Sequence, residues 1–556
     1  MSYVDRSLLG WLREPSAGRG LHFAGPDDRW DPWPQTDLAE LTLRVPPALA
    51  ARGVGRGEVV VNIQRSSPGF AATFFGTIAA GATTCSIAPP FAFQRADDYA
   101  RHVGHLLDVA RPALVVCDGD AAASVARLCA ALDLPAPVRF DDLVAGVPAD
   151  AAPGDPHDVA LLQFTSGSSG ASRGVRISHA ALEANVTAMR RWLDWGPDAP
   201  GISWLPVHHD MGLIGCLVNL VVTGCDGWLL QPDDFIRDPL RYLRCISERQ
   251  VQLAALPNFG LAYLLRKVRP EQLAGLRFDS LRSVILGAER IDPRVLAAFA
   301  DLLAPHGFDR GALLPAYGGA EATLAATCLP LGEGWTADLP DGGSGTPIVG
   351  CGRPLPGVGV AVVDPDGEQL PDGQVGEIVV TGDCIATGYQ GPTGSASGTR
   401  LDGGVLHSGD AGFLRDGQLF VIGRMGDGMK VRGRMVFAES LEMALIEQGI
   451  PERRVAVLLG VRDGTPTAAV VLDGAKPHWA ALAAAVVREA TDGAELVCLS
   501  LPRGTLAVTS SGKPRRRVMW QALCDGTLPG EVLPLSGAPA PGAPAETPAA
   551  PLAGVR

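Results

Sequence analysis

A short apolar run that leads directly into a loop rich in hydroxyls and glycines constrains this chain more than any other feature. Residues 159–164, VALLQF, read as a buried strand, and residues 165–174, TSGSSGASRG, follow at once. Glycines let the backbone pass close to a ligand with successive N–H groups turned toward it, and hydroxyls add further donors. The loop matches neither G-x-x-x-x-G-K-[ST] nor G-x-G-x-x-G. The pattern is therefore compatible with phosphate binding, although the same composition also occurs in mobile surface loops.

Composition indicates a multidomain globular protein and excludes some classes of partner. The chain has 556 residues, of which 47% are hydrophobic and 19% charged, a balance typical of folded domains. Its formal charge of −13 disfavours broad binding to nucleic acid or to an anionic membrane, because both require a positive surface. The most apolar stretch, residues 213–230, contains three polar interruptions, so we expect a buried segment and no membrane span.

Cysteine usage and the first residues predict a soluble, cytoplasmic protein. The eleven cysteines are scattered singly, with no C-x-x-C pair and no Cys/His cluster at metal-binding spacing. The opening residues have no apolar core of the length that a signal peptide needs.

The alternation of short apolar runs with longer segments of helical spacing predicts an α/β fold. Over the first 330 residues it indicates a large layered N-terminal lobe with parallel sheets. The strands that we expect there are residues 58–63, 113–117, 159–164, 281–286 and 313–316, and the helices include residues 98–110 and 239–249.

Beyond residue 357 the spacing of the apolar runs changes twice. Close-spaced strands at residues 358–364, 376–381 and 418–422 predict a small β-rich subdomain. After a boundary near residues 423–428, a small mobile α+β C-terminal lobe follows. Its expected elements are a helix at 439–448 and strands at 455–460, 468–472 and 495–499. We therefore predict domains at 1–424 and 425–530, with a disordered tail at 536–556.

Five further segments carry polar residues beside glycine or at strand ends. They are WLPVHHDMGLI (204–214), GAE (287–289), YGGAEAT (317–323), HSGD (407–410) and TSSGK (509–513). Taken singly, each is more often a turn or a solvated loop. A Ser–His–Asp hydrolase fits poorly, because G-x-S-x-G is absent and His209 and Asp210 are sequence neighbours whose side chains point apart in most backbones.

Taken together and in this order, the segments resemble the adenylate-forming superfamily of acyl-CoA ligases, adenylation domains and luciferases. LQFTSGSSG, PNF (257–259) and VGCGRPLPG (349–357) make the chain most like the fatty acyl-AMP ligase branch over residues 20–520. The resemblance implies a two-step reaction. ATP and a carboxylic acid give acyl-adenylate and pyrophosphate, and a thiol then takes the acyl group while the C-terminal lobe rotates about the junction.

The resemblance also implies roles for individual residues. Glu321 holds Mg²⁺, Asp410 accepts hydrogen bonds from the ribose hydroxyls, and Lys513 bridges the carboxylate and the α-phosphate. His209 lines the entrance for the acyl carboxylate. The residues implied to cradle the β and γ phosphates are Thr165, Ser166, Gly167, Ser168, Ser169 and Gly170. Those implied to bind the rest of the nucleotide are Gly287, Ala288, Glu289, Tyr317, Gly318, Arg424 and Lys430, with Tyr317 offering a flat face to the adenine.

The chain departs from the family pattern in three places. The phosphate loop ends Ser172-Arg173-Gly174 where Pro-Lys-Gly is usual, and we expect ATP binding to survive because arginine keeps the charge. Gly426 stands where an Asp or Lys is typical, which predicts a looser hinge without that polar anchor. Residues 324–349, where an insertion that blocks coenzyme A is expected, are short and rich in glycine.

Four hypotheses follow. The first is an ATP- and Mg²⁺-dependent ligase that activates a fatty acid and loads an acyl carrier protein. The second keeps the same adenylation and uses coenzyme A. A third is an amino-acid adenylating enzyme in which Asp210 holds the substrate ammonium. The fourth, motivated by Arg173 and Gly426, is a degenerate nucleotide-binding partner without catalysis.

Overall fold

The computed structural model describes residues 7–90, 96–149, 157–165, 172–342, 346–391, 398–431, 434–491, 493–509 and 512–535. These residues form two compact units, of which the first ends at Met425 and the second begins at Gly426. The predicted loop residues Ser166, Gly167, Ser168, Ser169 and Gly170 and the predicted tail 536–556 lie outside the described residues.

Strands of the first unit are short, and most are apolar on both faces, as buried parallel strands require. In chain order they are β1 (Gly20–Ala24), β2 (Trp30–Pro34), β3 (Val59–Ile63), β4 (Thr83–Ser86), β5 (Leu114–Cys117), β6 (Val138–Arg139), β7 (Val159–Phe164), β8 (Gly174–Ser178), β9 (Gly201–Ser203), β10 (Gly227–Leu229), β11 (Leu253–Leu256), β12 (Ser283–Leu286), β13 (Leu313–Gly318), β14 (Ala325–Cys328), β15 (Ala337–Asp338), β16 (Ile348–Val349), β17 (Arg353–Pro354), β18 (Val358–Val363), β19 (Gly376–Gly382), β20 (Gly388–Gln390), β21 (Arg400–Asp402), β22 (Val405–Arg415) and β23 (Gln418–Arg424).

Helices of the first unit alternate with these strands, and several begin at a capping side chain. Ser67 caps α3 by accepting a hydrogen bond from the Phe70 N–H, and Asp238 caps α10 through two backbone N–H groups. The α-helices are α1 (Gln35–Leu43), α2 (Val45–Ala50), α3 (Pro68–Ala79), α4 (Ala96–Ala110), α5 (Ala122–Ala131), α6 (Phe140–Val144), α7 (His179–Trp192), α8 (Asn219–Thr223), α9 (Pro232–Arg237), α10 (Pro239–Glu248), α11 (Asn258–Lys267) and α12 (Pro293–Leu303).

Two large sheets form the frame of the first unit. One has seven strands in the order β20-β8-β7-β4-β3-β5-β6, and the other has nine in the order β17-β14-β13-β12-β11-β9-β10-β1-β2. The strands in the middle of each sheet are parallel. The predicted α/β architecture with parallel sheets is confirmed, and the predicted strands and helices are found within a few residues of their expected ends.

A third, antiparallel sheet confirms the predicted β-rich subdomain. It has the order β18-β19-β22-β21, and β23 pairs with β22. The apolar stretch at residues 213–230 is buried, as expected. It forms most of a π-helix at Met211–Val218, then α8 and β10. Within the described part of the chain, every helix is too short or too polar to cross a membrane.

The second unit is an α+β fold around its own core. Its strands are β24 (Gly428–Val431), β25 (Arg434–Phe437), β26 (Val455–Arg462), β27 (Thr465–Asp473), β28 (Glu495–Leu501) and β29 (Glu531–Val532), and its helices are α13 (Ala438–Glu447), α14 (Trp479–Ala490) and α15 (Arg516–Cys524). Strands β26 to β29 form one sheet, with α13 and α14 packed on one face. Met519 of α15 packs against Ala456 and Leu458, whose side chains alternate with the α13-facing ones along β26.

Candidate active site

Asp410 lies at the centre of a polar group that three strands of the first unit bring together. In the register of β22 with β23, Asp410 stands opposite Arg424, and the Arg424 Nε lies 2.9 Å from Asp410 Oδ1. Tyr317, near the end of β13, donates its hydroxyl to Asp410 Oδ2 at 2.7 Å. The Arg424 guanidinium also donates to the Ser408 carbonyl at 2.8 Å and to Thr399 Oγ1 at 3.1 Å.

These contacts fix the orientation of the Asp410 carboxylate and leave some of its hydrogen-bond acceptor sites unused. Burial raises the pKa of Tyr317 well above its ordinary value, and the charge of Asp410 raises it further, so the phenol stays protonated and acts as a donor. A carboxylate has about four lone-pair sites on its two oxygens. Within the part of the chain that the structure describes, Tyr317 and Arg424 each occupy one of them, on separate oxygens. The carboxylate can therefore accept two more hydrogen bonds, the number that a ribose diol offers.

Glu321 forms a second polar group with Tyr389 of β20 and with Arg173, which directly precedes β8. Its Oε1 accepts a hydrogen bond from the Tyr389 hydroxyl at 3.0 Å and lies 3.8 Å from the Arg173 guanidinium. The same guanidinium lies 3.9 Å from the centre of the Tyr389 ring, a cation–π contact. The structure thus gives Arg173 a place beside the predicted magnesium ligand. Sequence analysis did not single out Tyr389, since a lone tyrosine after glycine carries little signal.

The Glu321 and Asp410 groups are electrostatic neighbours. Burial raises the pKa of Tyr389, and Glu321 raises it further, while the positive charges of Arg173 and Arg424 oppose that rise. Arg424, the partner of Asp410, thus acts on the tyrosine that binds Glu321. Among the described residues, the polar contacts of the Glu321 carboxylate are made by Oε1, which leaves Oε2 available to a hard cation.

A strained turn positions Glu321. The chain leaves β13 through a single 3₁₀ turn at Ala320–Ala322 and reverses at Thr323, whose φ of 65° and ψ of −57° are rare for a β-branched residue. Thr323 is fully buried, and its hydroxyl donates to the Cys384 carbonyl at 2.6 Å. A Cβ at Gly318 would stand 1.8 Å from the Leu324 carbonyl oxygen, so the approach of these two segments requires glycine there.

The segment 287–289 follows β12 and combines a left-handed residue with a helix cap, while its contact with a nucleotide stays a prediction. Ala288 has a left-handed φ of 67°, which is uncommon for a residue other than glycine. The Glu289 carboxylate accepts a hydrogen bond from the Phe259 N–H at 2.5 Å, in the first turn of α11. At least one oxygen of Glu289 therefore caps a helix. Gly287 is buried beside Ala316, and its Cβ position leaves ordinary contact distance.

The histidine segment is tied to the strand that precedes the predicted phosphate loop. Gln163 of β7 donates to the His208 carbonyl at 3.1 Å. The rings of His208 and His209 lie 4.8 Å apart. Burial lowers the pKa of His208 well below its ordinary value, and the neighbouring His209 and His102 lower it further, so His208 is neutral at physiological pH. Asp210 accepts from the Met211 N–H at 2.8 Å and caps the π-helix.

Lys430 and Lys513, the two predicted cations of the second unit, lie in different elements of it. Lys430 is exposed on β24. Lys513 lies on a hairpin where the Thr509 N–H donates to the Lys513 carbonyl at 2.8 Å and the Lys513 N–H donates to Thr509 Oγ1 at 3.1 Å. Thr165, at the end of β7 in the first unit, donates its N–H to the Arg173 carbonyl at 3.1 Å. Nucleotide contact by these three residues stays a prediction.

Comparison with known proteins gives concordant matches along the chain. A family model described as AMP-binding enzyme matches residues 29–390. The chain is 30% identical over 575 residues to a putative fatty-acid–CoA ligase, FadD25, of Mycobacterium tuberculosis, covering 93% of this chain and 97% of the relative. It is 31% identical over 496 residues to a long-chain-fatty-acid–AMP ligase, FadD26, of Mycobacterium marinum, covering 80% and 83%. A solved chain from studies of fatty acyl-adenylate ligases of E. coli and L. pneumophila matches with a TM-score of 0.85 at 26% identity, covering 94% and 98%.

Proposed function

The chain belongs to the AMP-binding enzyme family, and from that premise we propose that it is an ATP-dependent fatty acyl-AMP ligase. It joins a fatty acid to AMP with release of pyrophosphate, and then passes the acyl group to the thiol of an acyl carrier protein. The family match and the fatty-acid ligases among the relatives support the reaction class.

The observation that carries the proposal is the Asp410 group. Its carboxylate is fixed by Tyr317 and Arg424 through separate oxygens and retains two acceptor positions, which suits a ribose diol. The chemical step brings a carboxylate against an α-phosphate, so that positioning and neutralisation of like charges account for most of the catalysis. A rigid hold on the ribose meets the first of these needs.

The phosphates require positive charge and a metal ion. Glu321 would hold Mg²⁺ through Oε2, since Mg²⁺ in nucleotide sites is usually bound by one or two carboxylates together with phosphate oxygens. When bound, the ion would neutralise charge on the phosphates. Thr165 and the loop residues that follow it are proposed to bind the β and γ phosphates, with Arg173 at the end of that loop.

Lys513 of the second unit is the proposed catalytic cation. It bridges the attacking carboxylate and the α-phosphate during adenylation and leaves when the second unit turns for thiol transfer. The proposed domains are 1–424 and 425–530. Loss of a charge at such a position costs about 10²–10³-fold in rate. His209 is proposed at the entrance for the acyl carboxylate, beside the neutral His208.

Two observations bear on the competing hypotheses. The Asp210 carboxylate caps the π-helix, which disfavours a role as the partner of a substrate ammonium. Residues 324–342 and 346–349 hold only short strands and turns, so coenzyme A remains the alternative acceptor. The free thiols of the eleven cysteines, ten of them buried, suit the reducing cytoplasm that we propose as the location.

The test is a panel of fatty, aromatic and amino acids assayed by pyrophosphate release with ATP and Mg²⁺, with carrier protein, coenzyme A or no thiol. We expect release with fatty acids and acyl transfer to the carrier protein. Efficient formation of acyl-CoA would show that coenzyme A is the acceptor and would contradict the proposed carrier protein. Lys513→Ala should lose about 10²–10³-fold, whereas Lys476→Ala, an exposed lysine of the same unit, serves as the matched control. Equal activity of wild type and Lys513→Ala would contradict the role of Lys513.

A further inference from the structure

One arginine of the second unit is surrounded by three carboxylates. Arg516, the first residue of α15, makes a two-pronged contact with Glu442, its Nη2 lying 2.6 Å from Oε2 and its Nε 3.1 Å from Oε1. Its Nη1 lies 2.8 Å from Glu439 Oε1 and 3.1 Å from Asp427 Oδ2. Each of these four side chains is 16% exposed or less. We call these four residues the Arg516 cluster.

The Arg516 cluster carries more acid than base. Burial alone would lower the pKa of Arg516, but Glu442 and Glu439 outweigh it and raise that pKa. Burial raises the pKa of Glu439 to about 7, against the opposing effect of Arg516 and with further help from Asp427 and Glu442. The second oxygen of Glu439 is buried and has no hydrogen-bond partner among the described residues. Such a cluster is poor evidence for stability, because desolvation offsets much of the attraction.

What the cluster does is join segments that are far apart in sequence. Asp427 lies in the first residues of the second unit, Glu439 and Glu442 lie on α13, and Arg516 begins α15. Glu442 also accepts a hydrogen bond from the Val457 N–H of β26 at 2.8 Å. The planar guanidinium has a fixed fork of donors, so three contacts at once define its orientation.

The hairpin that carries Lys513 ends at this arginine. Val508 and Pro514 form a bridge, and the Arg515 N–H donates to the Ala507 carbonyl at 2.9 Å. Arg516 follows directly, three positions after Lys513. The base of the hairpin is therefore held by backbone bonds on one side and by the Arg516 cluster on the other.

A second arginine strengthens the same link. A Cβ at Gly426 would stand 2.4 Å from Arg517 Nη2, so the Arg517 guanidinium occupies the space where a side chain at 426 would begin. Within the second unit, residues 426 and 427 therefore lie against consecutive arginines of α15. The loosening of the hinge by Gly426 stays a prediction.

We propose that Arg516 is a positioning residue for Lys513. It fixes the hairpin of Lys513 against α13 and against residue 427, so that the lysine and the start of the second unit move as one piece. The proposal rests on the proposed function for the role of Lys513, but the fixing of the hairpin is a property of the second unit alone.

The test uses the full-length chain and the variant Arg516→Lys, which keeps the charge and loses the fork. Arg503→Lys, an exposed arginine of the same unit, is the matched control. Exchange of the amide hydrogens of Thr509, Lys513 and Arg515 should speed up about tenfold in Arg516→Lys, with the amides of β26 to β28 unchanged. Hairpin exchange that stays at the wild-type rate would overturn the proposal.

A double-mutant cycle then asks whether Arg516 acts through Lys513. Arg516→Lys should lower the adenylation rate about tenfold in the wild-type background and by less than about twofold when Lys513 is already alanine. Transfer of a presynthesised acyl-adenylate to the thiol should stay within about twofold of wild type in both backgrounds. Independent losses that multiply, or an equal loss in the transfer step, would contradict positioning. If wild type adenylates no acid, the proposed function fails, and hydrogen exchange alone decides this proposal.

Discussion

Arginine meets carboxylate in both units, but the two arrangements differ in what they leave open. In the first unit Arg424 and Asp410 form a single pair whose side chains are 39% and 18% exposed. In the second unit Arg516 meets three carboxylates, and its own side chain is 13% exposed. A carboxylate with spare acceptor positions can bind a ligand, whereas carboxylates closed around a guanidinium can only hold their segments in place. A binding site and a structural ion-pair cluster therefore differ in how many carboxylate acceptor positions they leave for a ligand.

Among the variants considered in this Discussion, Asp410→Asn should have the largest effect on activity. The amide keeps the shape and loses the charge, so that both the ribose contact and the partner of Arg424 are weakened. We expect kcat/KM for ATP to fall about 10²-fold, because hydrogen bonds to charged groups are worth about 1.5–3 kcal/mol. Steady-state pyrophosphate release measures it, and the thermal transition serves as the control. A loss of stability that accounts for the whole fall would contradict the assignment.

Tyr389→Phe should have an intermediate effect through Glu321. Loss of the hydroxyl leaves Glu321 Oε1 without its 3.0 Å donor, at a cost of about 1 kcal/mol, which corresponds to about fivefold. Because Glu321 is the proposed magnesium ligand, the concentration of Mg²⁺ that gives half-maximal activity should rise. A titration of activity against Mg²⁺ tests this. An equal loss at all concentrations of Mg²⁺ would show that Tyr389 acts on another step.

The sequence predicts some residues of the Asp410 and Glu321 groups but not which residues contact one another. The segments that carry Glu289, Tyr317 and Asp410 are visible in the sequence as short polar motifs, although Asp410 lies within β22 and not at a strand end. Their partners are not, because the Tyr317–Asp410 bond spans 93 positions and the Arg173 contact with Tyr389 spans 216. Periodicity reports which face of an element is buried, and it carries no information on which distant side chains then meet.

The Arg516 cluster shows the same limit more sharply. Its contacts join residues 74 to 89 positions apart, and each carboxylate alone reads as an ordinary solvated acid. The left-handed Ala288 and the strained Thr323 were equally invisible, since neither residue type is typical of positive φ. The place of Arg517 beside Gly426 was also invisible in the sequence, because the two residues lie far apart along the chain.

Glu439→Gln should sharpen the contrast through pH. An acid whose pKa is higher in the folded than in the unfolded state binds its proton more tightly when folded. The free energy of unfolding therefore falls as the pH rises from 4.5, the ordinary pKa of a glutamate, to about 7, the pKa of Glu439 in the folded state. The cost is complete above pH 7. The variant should be more stable than wild type at pH 8 by on the order of 3 kcal/mol, and the two should converge as the pH falls below 4.5. Calorimetry at four pH values measures the difference, and a constant difference would contradict a raised pKa.

Arg173→Lys should have the smallest effect. Lysine restores the residue that is usual in this loop and keeps the charge. Its contacts with Tyr389, which for Arg173 are the cation–π contact and the 3.3 Å hydrogen bond to the hydroxyl, are weakened by about 0.5–1 kcal/mol. We expect the KM for ATP to change by less than about threefold. Arg173→Met, which removes the charge, should raise it about tenfold. If the lysine and methionine variants behave alike, the charge of Arg173 does not serve ATP.

The most direct test of the proposed adenylation is one partial reaction, pyrophosphate exchange. Exchange of labelled pyrophosphate into ATP reports reversible formation of an acyl-adenylate and needs no thiol. We predict exchange that requires both a fatty acid and Mg²⁺, proceeds without any acceptor, and falls about 10²-fold in Asp410→Asn. Absence of exchange with every carboxylic acid, or exchange indifferent to Asp410, would contradict it.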